Sequence, residues 1–234
     1  TVMKKIYRAE ERFFERYAKV IFIPSDQMAP YIDIDRPKVM LPPGGKEVQI
    51  PPRKANAVKH RVYVGGIRHD TGFSMLQDAV AMARKQQLPF ALTVVCREPE
   101  YQALSEKMKQ RFQQLDIQIA HLSGENLHRF YQEVDFGVIP FIRNTYNDFA
   151  MPYKLFEYLS FQLPVVATHC LAQKQFIEEG NYGVVCEDTP EAMAKAIAVM
   201  LENYDTYVQA IQEHLLAKDS WKARVKQVAE ALLH

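Results

Sequence analysis

The sequence predicts an α/β protein in which a Rossmann-like, doubly wound parallel sheet is covered by helices on both faces. The first observation is a regular alternation, from residue 61 onward, of short apolar segments with longer amphipathic ones, typical of a repeated strand and helix. The second is that segments such as 90–96 and 165–168 are apolar at successive positions, as in strands buried on both faces. The third is a hydrophobic content of 48% in 234 residues, which suffices for a buried core.

The first 52 residues predict a short α/β segment that ends in a linker. Helices are predicted at 2–17 and 26–31, and strands at 20–24 and 38–41. The prolines and glycines of 42–52 are typical of a linker. We therefore divide the chain into 1–52, the last part of an N-terminal Rossmann-like domain, and 53–234, a complete second domain. Because the chain opens at Thr1 directly into a helix, we expect it to be a fragment.

The second domain is predicted to carry the binding site. Its strands are predicted at 61–64, 90–96, 117–121, 136–139, 165–168 and 183–186. Helices are predicted at 71–87, 98–114, 125–134, 152–162 and 171–179, with three further helices from 190 to 234 outside the sheet. Ligands of such sheets bind at the carboxyl ends of the strands. The loops expected there are 65–70, 97–99, 122–124, 140–151 and 169–170.

Charge and composition exclude several classes of protein. The 29 basic and 28 acidic residues leave a net charge of +1, too little for a nucleic-acid-binding surface. The three cysteines are widely spaced among apolar residues, so neither a disulfide framework nor a zinc site is expected, which fits a reducing cytoplasm. No apolar run approaches the roughly 18–20 residues that cross a bilayer. We expect a cytoplasmic protein.

The segment Pro-Tyr-Lys-Leu-Phe-Glu-Tyr at 152–158 is the strongest candidate site. Pro152 suits the first helical position, where its missing N–H has no helical partner. Lys154 then lies in the first turn, where a cation is disfavoured by about 0.3–1 kcal/mol unless an anion lies nearby. Lysine and helix end together form an anion site, and Glu157, one turn later, faces sugar hydroxyls. The alternative is a surface Lys154–Glu157 ion pair, in the less favourable order.

With its neighbours, this segment resembles the donor-site segment of GT-B-fold glycosyltransferases of group 1 (family 4-like), a large retaining group that uses nucleotide-sugars. The resemblance covers residues 60–203. It rests on Tyr-Val-Gly-Gly-Ile at 63–67, residues 127–140, Pro-Tyr-Lys-Leu-Phe-Glu-Tyr-Leu at 152–159, Leu-Pro-Val-Val-Ala-Thr at 163–168 and Gly-Asn-Tyr-Gly-Val at 180–184, in the family's order.

The resemblance implies a donor-binding C-terminal domain that takes a nucleoside diphosphate sugar, such as a UDP-sugar. It implies hexosyl or glycuronosyl transfer in polysaccharide or glycoconjugate synthesis. Glu157 matches the second glutamate of the family's E-x7-E motif, which binds ribose, and Phe149 replaces the first. Gly66 and Thr71 stand near the usual first-loop arginine and lysine. The residues expected to bind the donor are Gly65, Gly66, Arg68, Leu122, Arg143, Tyr153, Lys154 and Glu157.

Arg68 and Lys154 are the candidates for opposing the diphosphate, and near Leu122 the family reads the base mostly through backbone atoms. No catalytic residue is assigned. No metal or other cofactor is expected, because GT-B enzymes use basic residues and helix dipoles instead. Asp33-Ile34-Asp35 has the D-x-D form of metal-dependent glycosyltransferases of another fold, but it precedes the linker and is interpreted as a surface turn. The acceptor, a glycan or lipid-linked sugar, is expected to bind a first domain outside this sequence.

The first helix carries a basic stripe with aromatic neighbours. The stripe consists of Lys4, Arg8, Arg12 and Arg16, beside Phe13, Phe14 and Tyr17. One interpretation is peripheral contact with anionic lipid. The other is a solvated or interdomain face, in which Glu11 and Glu15 pair with the arginines.

Three functional alternatives remain open. A nucleotide-sugar epimerase would share the fold, although no acid/base residues for it are identified. A non-catalytic interaction subunit is favoured by Phe149 and by the short N-terminal segment. Another doubly wound binding module, such as a flavodoxin-like receiver, would lack the ordered segment 152–168.

Overall fold

A computed structural model describes residues 2–51, 59–67 and 71–233 of the chain. The first of these ranges holds helix α1 and a small parallel sheet. Its elements are α1 (Val2–Glu15), β1 (Ile21–Ile23), a 3-10 helix (Asp26–Tyr31) and β2 (Lys38–Met40). Phe13, Phe14 and Tyr17, at or just after the end of α1, are 61%, 62% and 69% exposed. The helix forms as predicted, while its contact with lipid stays a prediction.

The rest of the chain alternates strands and helices. The strands are β3 (Lys59–Val64), β4 (Phe90–Val95), β5 (Ile117–Ala120), β6 (Phe136–Ile139), β7 (Val165–Thr168) and β8 (Gly183–Cys186). The helices are α2 (Phe73–Lys85), α3 (Glu98–Gln102), α4 (Glu106–Gln114), α5 (Gly124–Tyr131), α6 (Thr145–Phe149), α7 (Tyr153–Ser160), α8 (Leu171–Gly180), α9 (Pro190–Lys218) and α10 (Trp221–Leu233). A kink with non-helical backbone at Asn203 divides α9 where the first of the three predicted C-terminal helices ends.

The second sheet is parallel and doubly wound, as predicted. Its strands lie in the order β5-β4-β3-β6-β7-β8. The chain moves outward from β3 to β5, returns to place β6 beside β3, and then moves outward again to β8. Ligands of open α/β sheets bind where the strand order reverses in this way, which here is between β3 and β6. The topology therefore directs attention to the carboxyl ends of the central strands.

Helices bury both faces of this sheet. In β7, Val166 belongs to one apolar cluster, together with Leu76 of α2 and Ile197 of α9. Its neighbour Val165 belongs to a second cluster, with Leu155 of α7. Successive strand residues point to opposite faces, so the two clusters lie on opposite sides of the sheet. Burying one such side chain contributes about 1.5–3 kcal/mol, and this packing holds α7 against the sheet.

Three features of the helices differ in kind from the prediction. Residues 98–114 form two helices, because Ser105 caps α4 by accepting a hydrogen bond from the Met108 N–H. The loop 140–151 contains α6, which Asn144 caps in the same way. Pro152 is the N-cap of α7 (φ −63°, ψ 123°) rather than its first residue, which is Tyr153. Lys154 still lies in the first turn.

The segment before residue 52 packs against the C-terminal helices. Gly45 N–H donates to the Asp219 carbonyl (2.8 Å), and Trp221 N–H donates to the Gly45 carbonyl (3.1 Å). Gln227 of α10 donates to the Met40 carbonyl at 2.7 Å. The predicted domain division falls within 52–58, outside the described residues, and stays a prediction. None of the described helices combines the length and apolarity needed to cross a membrane.

Candidate functional site

A cleft of about 850 Å³ opens at the carboxyl ends of β3, β4 and β5, a size typical of small-molecule sites. The loops after these strands form its walls together with the first two turns of α7. It brings together five of the eight residues that the sequence analysis assigns to the donor. These are Gly65, Gly66, Leu122, Lys154 and Glu157. They come from three separate loops and helices, so the sheet topology is what gathers them.

The loop after β3 is shaped by two side-chain hydroxyls. The Gly66 carbonyl accepts hydrogen bonds from Tyr63 Oη and from Thr71 Oγ1, both at 2.7 Å. A Cβ on Gly65 would lie 2.9 Å from Tyr63 Oη, so a side chain there would displace the tyrosine hydroxyl. Gly65 is therefore needed by the loop itself. Arg68, the other predicted contact of this loop, lies outside the described residues.

Lys154 and Glu157 form an ion pair in the wall of the cleft. Lys154 Nζ lies 2.5 Å from Glu157 Oε2, and the two side chains are 34% and 24% exposed. The ion pair that sequence analysis gave as an alternative is thus formed, and both partners also line the cleft. An anionic ligand would find the ammonium group already paired, and would have to share it with Glu157.

Two buried tyrosines connect α7 to the other walls. Tyr131 of α5 donates a hydrogen bond to Glu157 Oε2 at 3.4 Å. Tyr158 Oη accepts the backbone N–H of Val64, the last residue of β3, at 3.0 Å. Burial, the largest cause in both, raises the pKa of each phenol well above its usual range, so both hydroxyls stay protonated. A Cβ on Gly137 would lie 2.3 Å from the Tyr158 ring, so this glycine makes room for it.

Two of the predicted donor residues lie elsewhere. Arg143 pairs with both carboxylate oxygens of Asp148 (3.0 and 3.1 Å) and contacts His169 Nε2 at 3.3 Å. This network follows β6 and β7 and does not line the cleft among the described residues. Tyr153 is 52% exposed and lines a smaller cavity, about 270 Å³, between α5, α7 and the segment before residue 52. Glu157 borders both cavities. A donor contact by Arg143 or Tyr153 stays a prediction.

The cleft has an acidic side that was not predicted from the sequence. The loop 97–99 was expected at the cleft, but no residue in it was assigned to the donor, and Glu100 was not considered. Glu100 Oε2 is buried and has no hydrogen-bond partner among the described residues. It would lie 3.6 Å from a Cβ on Gly66, close to the loop after β3. The signal was weak, because α3 has only five residues and ends well before the predicted helix does.

Cys96 and His121 also line the cleft. His121 Nδ1 lies 2.9 Å from the Cys96 carbonyl, which ties the loop after β5 to that after β4. Burial, and then the charge of Glu100, raise the pKa of the Cys96 thiol to about 11. The thiol is therefore neutral at physiological pH.

No group of three or more histidine, cysteine or carboxylate side chains is placed to hold a metal ion within the part of the chain that the structure describes. Asp33 and Asp35 of the D-x-D segment are both exposed and lie before β2, as expected for a surface turn. The cleft presents three carboxylates, Glu98, Glu100 and Glu157, and two basic side chains, Arg97 and Lys154, among its described residues. Acidic side chains thus outnumber basic ones in the part of the cleft that the structure describes.

Sequence comparison identifies relatives of known family. A sequence model of the family described as glycosyl transferases group 1 matches residues 59–203. TuaH of Bacillus subtilis strain 168, provisionally named a teichuronic acid biosynthesis glycosyltransferase, is 25% identical over 100 residues. The aligned part is 42% of this chain and 25% of TuaH.

Several solved structures share the fold. A glycosyltransferase from Rickettsia africae superposes with a TM-score of 0.72 at 15% identity, over 93% of this chain and 65% of its own. A TarM variant of S. aureus, solved with UDP, gives 0.73 at 11% identity, over 94% of this chain and 45% of its own. WaaG, a glycosyltransferase involved in lipopolysaccharide biosynthesis, gives 0.66 at 16%, over 90% and 62%.

The chain thus spans a quarter of the length of TuaH and between 45% and 65% of these solved proteins. The superpositions confirm the GT-B type of α/β architecture that the sequence predicts. The family match includes all six strands of the main sheet and the helix that carries Lys154 and Glu157. The chain therefore belongs to the glycosyl transferases group 1, the family that its donor-site segment resembles.

Proposed function

We propose that this chain is the donor-binding portion of a glycosyltransferase and takes a nucleoside diphosphate sugar in the cleft at the carboxyl ends of β3, β4 and β5. In this proposal Lys154 opposes the charge of the diphosphate, Glu157 accepts hydrogen bonds from the ribose hydroxyls, and the backbone near Leu122 lies beside the base. The acceptor binds in a further domain, and residues 1–52 are the last part of that domain with its linker.

The observation that carries the proposal is the meeting of Lys154 and Glu157 with Gly65, Gly66 and Leu122 in one cleft. These residues are far apart along the chain, and the fold brings them together. A cation in the first turn of a helix is electrostatically unfavourable without a nearby anion. Glu157 meets part of that need, and a diphosphate sharing the ammonium group would meet more of it.

The chemistry follows from charge. Transfer of the sugar breaks the bond between its anomeric carbon and the diphosphate and joins that carbon to an acceptor hydroxyl oxygen, which loses its proton. The diphosphate leaves with the electron pair and so with additional negative charge. Donors already oriented toward that charge lower the barrier, because they need no reorganisation when the bond breaks. Lys154 is the group proposed to do this. No metal or cofactor is part of the proposal.

One observation favours a second candidate, a non-catalytic subunit with the same fold. Phe149 stands where the family has its first glutamate, and its ring packs on Tyr31 and Tyr146, with centroids 5.3 and 5.4 Å away. Its carbonyl accepts a hydrogen bond from Ser25 Oγ at 2.7 Å. Phe149 therefore connects α6 to the N-terminal segment. Such a packing role is what a non-catalytic subunit would retain at this position. A chain of this kind would bind nucleotide weakly or not at all.

The names of the relatives suggest which ligands to test first. UDP accompanies the TarM variant, and TuaH and WaaG are named for polymer or lipopolysaccharide synthesis. We propose a UDP-sugar as the first donor to examine and a cell-surface polysaccharide or glycoconjugate as the product. A hexosyl or glycuronosyl group is the proposed cargo.

Calorimetry with UDP, GDP, ADP, CDP and dTDP tests the proposal. The wild-type chain is expected to bind at least one of them, and Lys154→Ala to weaken that binding by about tenfold, because a hydrogen bond to a charged group is worth about 1.5–3 kcal/mol. Lys174→Ala is the matched control, since Lys174 also pairs with a helical glutamate, Glu178, but lies outside the cleft. Failure of all five to bind would refute donor binding and favour the non-catalytic subunit.

A further inference from the structure

In the loop after β3, one carbonyl accepts from two hydroxyls, and the adjoining N–H groups have no acceptor among the residues that the structure describes. We infer that Tyr63 and Thr71 are positioning residues, which turn the Gly66–Ile67 peptide so that its N–H faces the cleft and donates a hydrogen bond to the diphosphate of the donor. The inference rests on the proposed function and adds residues that the family resemblance does not supply.

The first step concerns the hydrogen bonds of the Gly66 carbonyl. Its oxygen accepts one hydrogen bond from Tyr63 Oη and one from Thr71 Oγ1, each at 2.7 Å, and these occupy both of its lone pairs. Tyr63 reaches it from the core, where its side chain is 2% exposed and packs on Phe73 with ring centroids 5.5 Å apart. Two donors from different directions fix the orientation of this peptide.

The second step is the geometry of the peptide itself. A trans peptide is planar, and its C=O and N–H point in opposite directions. With the Gly66 carbonyl directed at Tyr63 and Thr71, the N–H of Ile67 is directed away from them. The N–H groups of Gly66 and Ile67 have no hydrogen-bond acceptor among the described residues, whereas the Gly65 N–H donates to the Val95 carbonyl at 3.1 Å. Gly66 lines the cleft, and Ile67 directly follows it in the chain.

The third step is the charge of the site. The resemblance places Gly66 and Thr71 near positions where the family has an arginine and a lysine, so neither of these two positions carries a cation in this chain. Oriented N–H groups bind phosphate oxygens without a charged side chain. In this arrangement Thr71 takes the place of a charged side chain by orienting a backbone N–H toward the ligand. The tight fit of Gly65 against Tyr63 Oη shows how closely the loop is built around that hydroxyl.

The test compares Thr71→Val, Thr71→Ser and Tyr63→Phe with the wild type. Valine keeps the shape of threonine without the hydroxyl, serine keeps the hydroxyl, and phenylalanine removes only the tyrosine oxygen. Calorimetry measures each chain against the best-binding nucleoside diphosphate and against its nucleoside. We expect Thr71→Val and Tyr63→Phe to lose about three- to tenfold in diphosphate affinity, with nucleoside affinity unchanged and Thr71→Ser close to wild type.

An NMR titration follows the same question at the backbone. In the wild type and in Thr71→Ser, the amide protons of Gly66 and Ile67 should shift downfield when the nucleoside diphosphate is added, and in Thr71→Val much less. Thermal unfolding of each variant establishes that it is folded. Unchanged diphosphate affinity in Thr71→Val and Tyr63→Phe would overturn the inference and leave the proposed function standing. So would an equal loss for nucleoside and diphosphate. A wild type that binds no nucleoside diphosphate would overturn both.

Discussion

Replacing Glu157 by glutamine should reduce the preference of the cleft for ribose over 2′-deoxyribose. In the proposed complex the carboxylate accepts hydrogen bonds from the ribose hydroxyls, and the amide of glutamine is a weaker, uncharged acceptor. Glu157 also pairs with Lys154 at 2.5 Å. The substitution therefore frees the ammonium group as well, and the total affinity for a nucleoside diphosphate can move in either direction. The ratio between ribose and deoxyribose ligands isolates the contribution of the hydroxyl.

The size of the effect follows from the surroundings of Glu157. A hydrogen bond to a charged group is worth about 1.5–3 kcal/mol. The Glu157 side chain is 24% exposed, and its Oε2 already accepts from Lys154 and Tyr131, so the lower end of that range applies. About 1.5 kcal/mol corresponds to a preference of roughly tenfold in the wild type. We expect this ratio to fall to about twofold in Glu157→Gln, because a neutral pair is worth about 0.5 kcal/mol at its weakest.

The assay is calorimetry with a nucleoside diphosphate and its 2′-deoxy analogue on three chains. The affinity ratio of the two ligands is compared between wild type and Glu157→Gln. Glu178→Gln is the control, because Glu178 pairs with Lys174 on α8 and does not line the cleft. The control should keep the wild-type ratio. A ratio that is the same in Glu157→Gln as in wild type would show that Glu157 does not touch the ribose.

Other consequences of the structure concern packing, charge and pH. Gly137→Ala should lower the free energy of unfolding by about 1–3 kcal/mol, because its Cβ would lie 2.3 Å from the Tyr158 ring. In Gly124→Ala the added Cβ would have no other atom within 4 Å, and only the positive φ of 53° at this residue opposes the change. Urea unfolding compares the free energies of unfolding of the two variants. Glu100→Gln should strengthen nucleoside diphosphate binding several-fold, roughly as expected for removing one nearby like charge; weaker binding in calorimetry would make Glu100 a ligand contact. Stability should fall between pH 9 and 11, because burial raises the pKa of Cys96 from 9.0 to about 11, so that the unfolded chain loses the thiol proton first. Urea unfolding at pH 8 and 10.5 should show a smaller loss in Cys96→Ala.

Much of the fold was predictable because the spacing of apolar residues along the chain depends directly on which positions are buried. The bounds of β6, β7 and β8 agree with the predicted strands, and β6 and β7 are buried at every position, as their unbroken apolar runs indicate. Helix boundaries that depend on a single capping side chain were harder to predict. The side chains of Ser105 and Asn144 each accept a hydrogen bond from a backbone N–H at the start of a helix, and hydrophobic periodicity does not show which of many polar residues will do so.

The candidate site was predictable in its loops and less so in its contacts. Lys154 and Glu157 were identified from a helix start and a family resemblance, and both line the cleft. Tyr131 was missed because its hydroxyl reaches Glu157 only through the packing of α5 on α7. Glu100 was missed for a similar reason, since its approach to the Gly66 loop depends on how α3 packs beside the loop after β3. Such contacts arise from tertiary packing and have no fixed spacing in the sequence.

A crystal structure of the chain with the nucleoside diphosphate that binds best in calorimetry tests donor binding most directly. We expect a diphosphate oxygen within hydrogen-bond distance of Lys154 Nζ, a ribose hydroxyl at the Glu157 carboxylate, and the base beside the loop that contains Leu122. Nucleotide bound in the cavity beside Tyr153, or at the network around Arg143, with the cleft of Lys154 and Glu157 filled only by water, would contradict the account.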